Sequence, residues 1–412
     1  MSEGSREKAC ADSDGGAGLF TLPAAVLSGR AAVAVAVSGG ADSLYALLRL
    51  HEAGVRVMAL HGVFFSVGAE REAATQAVRE GLEEHCRALG VDLHVLDLRA
   101  QFRQLVIRPF VEGYARGDTP NPCALCNARL KFGLLLQAAL KRGAGYLATG
   151  HYAGLEQATG PGADFCPATA ASSDAISGLV LLQACDPAKD QSYFLSLVPP
   201  AAMARALFPL GDTRKSQVLD ALARHGITPP QPGESQDVCF IPDDAYRDYL
   251  PAMADELGVP LGGPGPMALA DGRVLGRHKG LWRYTEGQRR GLGLAWTEPL
   301  YVAAKDQDLN LLRVAPAGEM RVHGCLCRDV NILLPPEHWP PAVLVKTRYR
   351  EPARPARARL TMDSGAVELE LRFEKALSAL APGQIATVYI PWGKDGARLR
   401  VVAGGRMVSA WR

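Results

Sequence analysis

The sequence lacks several features that would restrict its class. No apolar run approaches the ~20 residues that a membrane-spanning helix needs. Residues 1–16 are polar and lack the basic and apolar segments of a signal peptide. We therefore expect a cytoplasmic protein without a membrane partner. The formal net charge is only +2, so the overall charge neither favours nor excludes nucleic acid.

Cysteine is scarce, with nine residues in 412. An odd number in a chain without a secretion signal does not suggest a structural disulfide framework. We expect thiol chemistry or metal binding at a few positions and buried, inert thiols elsewhere. A hydrophobic share of 48% and a charged share of 21% are typical of soluble globular proteins.

Changes in composition and periodicity divide the chain into four parts. We predict a flexible tail, an α/β domain, a small central domain and a C-terminal antiparallel β-barrel, at residues 1–28, 29–210, 211–297 and 298–412. Within the α/β domain, residues 156–178 are rich in Ala, Ser, Gly and Thr and are interpreted as a flexible insertion.

The most informative stretch is an apolar run that ends in a glycine-rich turn. Residues 32–37 have the pattern of a strand buried on both faces, and a helical pattern begins directly after residues 38–43. Strands and helices continue to alternate, which predicts an α/β fold with a doubly wound parallel sheet. Ligands of such sheets bind beyond the carboxyl ends of the strands, where this turn lies.

The turn is a candidate anion site, because free N–H groups and the dipole of a helix N-terminus face the ligand. It lacks the Lys-Ser/Thr of the Walker loop and the three spaced glycines of the dinucleotide fingerprint. Its sequence, Ser-Gly-Gly-X-Asp-Ser, resembles the pyrophosphate loop of ATP pyrophosphatases, which cleave ATP between the α and β phosphates. An ordinary tight turn without a ligand is the alternative.

A second polar loop holds a Cys-X-X-Cys pair, Cys123 and Cys126. A helical pattern begins near Cys126, so we expect the helix dipole to depress the thiol pKa values. The preceding Pro-Asn-Pro loop is expected to be exposed, which favours a functional pair over two buried structural cysteines. The pair alone does not distinguish redox partners, metal ligands and a nucleophile. Cys239 lies between apolar neighbours and by itself is interpreted as a buried, inert thiol.

Further candidate residues remain ambiguous when each is taken alone. His151 ends a predicted strand, where it could contact a phosphate or pack under the loop. Lys189, Asp190 and Gln191 form a polar cluster that suits either a polar ligand or a solvated helix start. Residues 276–293 interleave cations, aromatics and glycines, as nucleic-acid surfaces and ordinary turns both do.

Five arginines are concentrated within 12 positions of the C-terminal part, and they indicate either a phosphate-contacting face or a solvated strand face: Arg348, Arg350, Arg354, Arg357 and Arg359.

Taken together and in order, these motifs resemble the bacterial tRNA-specific 2-thiouridylases, which make 2-thiouridine at the wobble position of Lys, Glu and Gln tRNAs. The similarity runs from residue 31 to residue 412. It rests on segments 38–43, 119–127, 148–152, 189–195, 235–241, 276–281, 285–292, 348–349 and 382–384.

The resemblance implies an adenylating and sulfur-transferring site. ATP, with Mg²⁺, would be bound by Ala36, Val37, Ser38, Gly39, Gly40, Ala41, Asp42, Ser43, Gly62, Gly150 and His151. Cys239 would receive a persulfide from a sulfur-relay protein or a cysteine desulfurase. Cys126 would be the second catalytic thiol, which closes a transient disulfide with Cys239. The tRNA anticodon loop would be contacted by Asn121, Pro122, Cys123, Lys189, Asp190, Gln191, Arg348, Tyr349 and Gln384.

Four positions depart from the family pattern, and the first is Ala41, where valine is common. Gly62 stands where methionine is usual, and Glu286 stands where an apolar residue is usual. Cys123 stands where many members carry Asp, so three thiols, Cys123, Cys126 and Cys239, could hold a [4Fe–4S] cluster with one open iron. Related thiolation enzymes use such a cluster. Another adenylating enzyme with a pyrophosphate loop and a non-catalytic RNA-binding protein are the further alternatives.

Overall fold

The computed structural model describes residues 20–65, 69–157, 179–231, 238–241, 246–393 and 396–411. Most of the predicted N-terminal tail and of the predicted insertion lies outside these residues.

The strands are, in chain order, β1 Ala32–Ala36, β2 Val57–Val63, β3 Leu93–Asp97, β4 Ala144–Thr149, β5 Gly154–Gln157, β6 Leu179–Leu182, β7 Ala206–Leu207, β8 Gly265–Ala268, β9 Val274–His278, β10 Leu300–Asp306, β11 Leu311–Pro316, β12 Val322–Ile332, β13 Val343–Lys346, β14 Arg354–Asp363, β15 Ala366–Leu377, β16 Ile385–Trp392 and β17 Arg398–Trp411.

The α-helices are α1 Ala24–Leu27, α2 Ala41–Glu52, α3 Ala69–Leu89, α4 Arg99–Phe102, α5 Arg108–Ala115, α6 Pro122–Cys126, α7 Leu136–Lys141, α8 Ser192–Leu195, α9 Pro200–Met203, α10 Lys215–Arg224 and α11 Tyr246–Leu257. Two segments are π-helical, Arg103–Ile107 and Asn127–Leu135, and three are short 3₁₀ turns, Leu281–Arg283, Ala317–Glu319 and Pro336–His338.

The first sheet is parallel and has the strand order β3-β2-β1-β4-β7. Successive side chains of β1 point to opposite faces, so Val33 and Val35 enter one hydrophobic core and Ala34 enters another. Both faces of the strand are therefore buried away from water, which explains its purely apolar sequence. The predicted α/β fold with a doubly wound parallel sheet is confirmed.

One continuous helix, residues 122–141, consists of α6, the second π-helical segment and α7; we call it the cysteine helix. In the part of the chain that the structure describes, it is the helix with the length and apolar composition of a membrane span. Phe132, Leu135 and Leu136 pack into the core beside β1 and β4. We therefore interpret it as a core helix of the α/β domain.

The second sheet is small and has the order β10-β11-β8-β9. The sequence analysis assigned residues from 298 onward to the C-terminal part, whereas the structure pairs β10 and β11 with the earlier strands. Met267 of β8, Val302 of β10 and Val314 of β11 share one hydrophobic cluster, which explains this grouping.

The C-terminal strands form an antiparallel barrel. The order β12-β15-β14-β13-β16-β17 is closed by pairing of β17 with β12. The predicted hairpin is β14–β15, with Arg359 opposite Glu370 and a turn at Ser364 and Gly365. Two strands of the first domain extend this sheet, since β6 pairs with β17 and β5 pairs with β6. The α/β domain and the barrel therefore share one sheet.

Candidate functional site

Residues 38–43, the pyrophosphate loop, fold tightly around the hydroxyl of Ser43. This hydroxyl donates to the carbonyl of Gly40 at 2.9 Å and accepts from the N–H of Ser38 at 3.1 Å. Gly40 caps α2 without a side-chain hydrogen bond. The N–H groups of the first turn of α2 therefore remain available to an anion.

Close packing explains two glycines of this region. Gly39 has a φ of 91°, and a Cβ there would lie 2.6 Å from Val78 Cγ1. A Cβ on Gly150 would lie 2.7 Å from the backbone carbon of Asp42 and 2.8 Å from the nitrogen of Ser43. The loop after β4 therefore rests directly on the start of α2, as an ATP site built from both loops requires.

Asp42 has two partners that the sequence analysis did not identify. Its Oδ1 accepts from Lys215 Nζ at 2.6 Å and from the Tyr152 hydroxyl at 2.8 Å. Lys215 is the first residue of α10, 173 positions along the chain. It lies in no motif, so only the folded arrangement reveals that an ammonium faces the pyrophosphate loop.

His151 lies at the carboxyl end of β4 and is buried. Its Nδ1 is 2.7 Å from Thr149 Oγ1, and its Nε2 is 3.4 Å from Lys131 Nζ. Burial, and then the neighbouring ammonium, lower the pKa of His151 well below its usual value. The imidazole is therefore neutral at pH 7. Because Lys131 can only donate, Nδ1 carries the proton and donates to Thr149.

The end of β2 contributes Gly62 and, beside it, His61. A Cβ on Gly62 would lie 2.9 Å from Phe64 Cε1, so the Phe64 ring fills the space of a side chain at this position. Burial lowers the pKa of His61, and its neutral ring donates from Nδ1 to the Val37 carbonyl at 2.8 Å. His61, which the sequence analysis missed, thus ties β2 to the segment before the pyrophosphate loop.

The cysteine helix begins about one turn earlier than predicted. Asn121 is its N-cap and accepts the N–H of Ala124 at 3.1 Å. Cys126 is consequently the fifth helical residue, beyond the first turn, where the dipole acts most strongly. The expected depression of its pKa is wrong, because burial raises the pKa of the Cys126 thiol to about 11.

The structure brings Cys239 to the Cys123–Cys126 pair. Phe240 anchors it by edge contacts with Phe102 and Phe110, at centroid distances of 5.5 and 5.2 Å. Cys239 itself is exposed, so the prediction that this thiol is buried is wrong.

The pKa values of Cys126 and Cys239 depend on some of the same neighbouring groups. The protein packed around Cys239, and then the nearby thiols of Cys123 and Cys126, raise its pKa to about 12. The ammonium of Lys131 acts in the opposite direction on both Cys126 and Cys239. The two candidate catalytic thiols therefore lie in one electrostatic environment.

The π-helical winding of residues 127–135 helps to explain why the Lys131 ammonium lies close enough to affect these thiols. Hydrogen bonds from i to i+5 bring residues five apart nearer to one face than an α-helix does, and Lys131 is five residues after Cys126, which directly precedes the π-helical segment. In an α-helix, residues five apart would differ by about 140° around the axis. Such π-helical segments often accompany functional sites.

The three thiols do not match an iron–sulfur site in this structure. Across residues 20–65, 69–157, 179–231, 238–241, 246–393 and 396–411, no group of three Cys, His, Asp or Glu side chains is placed to hold a metal ion. A cluster would need Cys123, Cys126 and Cys239 to converge on one core. We therefore derive no step through a cluster.

The Lys189–Gln191 segment is built into the protein. Asp190 is 3% exposed and accepts the N–H groups of Ala184 and Ser192, each at 3.1 Å. Gln191 Oε1 accepts the N–H of Tyr152 at 3.0 Å. Gln191 therefore holds the loop that carries His151, and Asp190 holds the turn between Ala184 and Ser192, although both were expected to contact tRNA.

The barrel residues expected at the tRNA also lie against the other domains. Arg348 donates to the carbonyl of Glu286 at 2.9 Å, and Gln384 Nε2 donates to the carbonyl of Thr119 at 2.9 Å. The Tyr349 ring packs on Phe194 at a centroid distance of 4.5 Å. Of these three residues, Gln384 contacts the loop that precedes the cysteine helix.

Comparison with known proteins agrees with this architecture. Family models match a tRNA methyl transferase HUP domain over residues 31–243, a tRNA methyl transferase PRC-barrel domain over 260–316 and an aminomethyltransferase beta-barrel domain over 322–399.

Curated relatives match almost end to end. The tRNA-specific 2-thiouridylase MnmA of Oleidesulfovibrio alaskensis is 50% identical over 92% of this chain and 99% of the relative. The proteins of the same name from Nitratidesulfovibrio vulgaris and Lawsonia intracellularis are 46% and 43% identical, each over 90% of this chain and 98% of the relative.

A solved structure, the U34-tRNA thiolase NcsA from Methanococcus maripaludis with its [4Fe-4S] cluster, is 15% identical with a TM-score of 0.32. The match covers 62% of this chain and 72% of that chain. A structural similarity with so low a TM-score provides no argument for or against an iron–sulfur cluster in this chain.

Proposed function

Because the chain belongs to the family of tRNA-specific 2-thiouridylases, we propose that it uses ATP and a persulfide to replace the 2-oxygen of the wobble uridine by sulfur. One observation carries this proposal. The cysteine helix bears Cys126, and its Lys131 reaches His151 beside the pyrophosphate loop. A base activated at the loop would therefore lie near the thiols.

The first step is adenylation. The wobble uridine leaves its stack, at a cost of a few kcal/mol that is smallest in a single-stranded loop. Its 2-oxygen attacks the α-phosphorus of ATP, the bond to the bridging oxygen of pyrophosphate breaks, and AMP becomes attached to the base. N–H groups at the start of α2 stabilise the charge that develops on the phosphates.

Two charged side chains would support the phosphates. Lys215 lies 2.6 Å from Asp42 and can transfer its ammonium from this carboxylate to pyrophosphate. Asp42 is then free to hold Mg²⁺ together with phosphate oxygens, an arrangement that Mg²⁺ favours because it needs only one or two carboxylates. Bound Mg²⁺ would neutralise phosphate charge.

The second step is sulfur transfer. The terminal sulfur of a Cys239 persulfide attacks C2 of the adenylated base, and AMP leaves with the former 2-oxygen. The Cys126 thiolate then attacks Sγ of Cys239, breaks the S–S bond to the transferred sulfur and releases 2-thiouridine. A Cys126–Cys239 disulfide results, and a dithiol reductant must open it before the next turnover.

The exposure of Cys239 supports a protein as the sulfur donor, either a sulfur-relay protein or a cysteine desulfurase. A macromolecular donor needs its acceptor thiol at the surface. We place the reaction in the cytoplasm, where its tRNA substrates are.

The outward face of the barrel supports contact with tRNA phosphates. Two of its acids are paired, Glu370 with Arg372 at 2.6 Å and Glu368 with Arg328 at 2.7 Å. Arg357 and Arg359 are both exposed on one face of β14, and within the described residues neither forms an ion pair; Glu370, which lies opposite Arg359, pairs with Arg372 instead. Two neighbouring exposed cations that form no ion pair suit a phosphate backbone.

The experiment supplies purified protein with ATP, a persulfide donor and unmodified tRNA, and measures pyrophosphate release and 2-thiouridine by mass spectrometry. We expect Asp42→Ala to abolish both products and to leave tRNA affinity unchanged. Cys239→Ser should still release pyrophosphate but form no 2-thiouridine. Cys325→Ala, a buried barrel cysteine, is the control.

Thiolation by Cys239→Ser at the parental rate would contradict the assigned chemistry. A parent protein that binds tRNA without releasing pyrophosphate would instead indicate a non-catalytic RNA-binding protein.

A further inference from the structure

The loop before the cysteine helix lies where three domains meet, and Thr119 contacts all of them. Its N–H donates to the Pro382 carbonyl at 2.7 Å, and its carbonyl accepts Gln384 Nε2 at 2.9 Å. Its hydroxyl lies 3.5 Å from the hydroxyl of Thr285 in the central domain. The barrel thus holds this residue through a reciprocal pair of hydrogen bonds.

The barrel turn approaches the loop too closely for a side chain at its centre. A Cβ on Gly383, whose φ is 90°, would lie 2.8 Å from Asp118 Cβ and 2.9 Å from the nitrogen of Thr119. The turn is itself fixed to β17, because Gly383 donates to Met407 and Met407 donates back to Gln384, each at 2.8 Å. The contact is therefore between two well-held backbones.

The central domain closes the other side of the junction. Glu286 and Lys305 form an ion pair at 3.3 Å, with side chains that are 6% and 2% exposed. Lys305 also donates to the Tyr284 carbonyl at 2.9 Å, and the Glu286 carbonyl accepts Arg348 of the barrel at 2.9 Å. Breaking a buried pair of this kind is strongly destabilising, so the pair stabilises the central-domain side of the junction.

Two routes lead from the barrel to Cys126. Thr119 lies two residues before Asn121, whose side chain caps the cysteine helix. In parallel, the Tyr193 hydroxyl donates to the Ile385 carbonyl at 2.9 Å, and Tyr193 packs with Ile385 and Ala124 in one buried cluster. Both routes start from neighbouring barrel residues, 384 and 385.

We infer that Gln384 is a positioning residue for sulfur transfer, which sets the place of Cys126 relative to Cys239 through Thr119 and the helix cap. The inference rests on the proposed function and gives the barrel a role beyond binding tRNA. It also differs from the role that the resemblance implied for Gln384, because a direct tRNA contact would affect affinity and a positioning contact would affect the chemical step.

The test compares Gln384→Met, which keeps the size and neutrality of the side chain but cannot donate to Thr119, with the exposed control Gln76→Met. We expect tRNA Kd and pyrophosphate release to stay within about twofold of the parent. Single-turnover formation of 2-thiouridine should fall about tenfold, the factor that corresponds to loss of one hydrogen bond of typical strength.

A second measurement needs neither tRNA nor ATP. In a Cys123→Ser background, which removes the competing neighbouring thiol, diamide oxidises the Cys126–Cys239 thiol pair to a disulfide, and the initial rate reports how often the two sulfurs meet. We expect the rate of disulfide formation to fall by a similar factor in Gln384→Met. We expect the same in Gly383→Ala, in which the added Cβ displaces Thr119 although the glutamine at position 384 is not substituted.

A parental disulfide rate combined with a raised tRNA Kd would overturn the inference and assign Gln384 to RNA contact. If the parent protein fails to thiolate tRNA, the proposed function fails, and the diamide comparison still decides whether Gln384 positions the thiols.

Discussion

Lys131 links the two halves of the site at the scale of single residues. Cys126 and Cys239 have pKa values of about 11 and about 12, so both are protonated at pH 7 although sulfur transfer needs a thiolate. The Lys131 ammonium favours both thiolates and also contacts His151. Its position lets it support negative charge at whichever sulfur is reacting.

Replacing Lys131 should change the reactivity of Cys126 in a pH-dependent way. In a Cys239→Ser background, Lys131→Met raises the pKa of the Cys126 thiol further, because the cation that favours the thiolate is removed. Iodoacetamide alkylation at pH 9 should slow about threefold to tenfold, with the profile displaced to higher pH. Lys131→Arg should retain most of the parental rate.

The control is Lys141→Met at the exposed end of the same helix. Equal alkylation profiles for Lys131→Met and the parent would show that Lys131 does not act on Cys126.

A methyl group at Gly150 should specifically damage ATP use. Its Cβ would lie 2.7–2.9 Å from backbone atoms of Asp42 and Ser43, which cannot move as a side chain can. Gly150→Ala should therefore lower kcat/KM for ATP by about tenfold to a hundredfold, equivalent to the 1–3 kcal/mol typical of overpacking. Pyrophosphate release against ATP concentration measures the effect, and Gly318→Ala, where the Cβ meets nothing within 4 Å, is the control.

At the scale of elements, a buried histidine lies at or just after the carboxyl end of each of β2 and β4, namely His61 and His151. Burial lowers the pKa of both His61 and His151, so each remains neutral in the folded protein at a pH where the unfolded chain takes up protons. Their neutral rings make hydrogen bonds to Val37 and Thr149. The stability of these two strand ends therefore depends on pH.

Acid should therefore destabilise the fold. Above pH 6.5, both histidines are neutral in the folded and in the unfolded chain, and their contribution to the free energy of unfolding is fully present. Below pH 6.5, the unfolded chain takes up protons at these histidines before the folded protein does, and the free energy of unfolding falls. Each histidine contributes a slope of up to about 1.4 kcal/mol per pH unit.

Urea unfolding at pH 5.5–7.5 measures this slope. His151→Gln should show a shallower pH dependence than the parent, while exposed His338→Gln should not. An unchanged slope in His151→Gln would indicate that this imidazole titrates equally in both states.

At the scale of the whole molecule, the shared sheet and the Thr119 junction join the barrel to the α/β domain. The exposed arginines of β14 lie on the outward face of the same barrel whose Gln384 contacts Thr119. The proposed tRNA face and the proposed positioning contact therefore lie on different surfaces of one barrel.

Removing the β14 cations should weaken tRNA binding through electrostatics alone. The double substitution Arg357→Gln with Arg359→Gln should raise Kd, and the slope of log Kd against log salt should decrease by about one to two. Filter binding at several salt concentrations measures both quantities. Arg79→Gln, an exposed cation on α3, removes charge elsewhere and should have little effect; an unchanged slope in the double variant would remove this face from the tRNA surface.

The sequence by itself determined the elements whose signals are local. The β1–loop–α2 unit follows from an apolar strand, a glycine turn and an adjacent helix, and the β14–β15 hairpin follows from period-two alternation around Ser364 and Gly365. Motif order was also sufficient to indicate the family.

Only the tertiary structure decided which distant residues meet and which side chains are buried, because local sequence signals do not contain this information. Lys215 faces Asp42, and Lys131 faces His151, because distant segments meet in space. Desolvation depends on the surrounding fold, which is why Cys126 has a raised pKa where a helix start suggested a depressed one, and why Asp190 is buried.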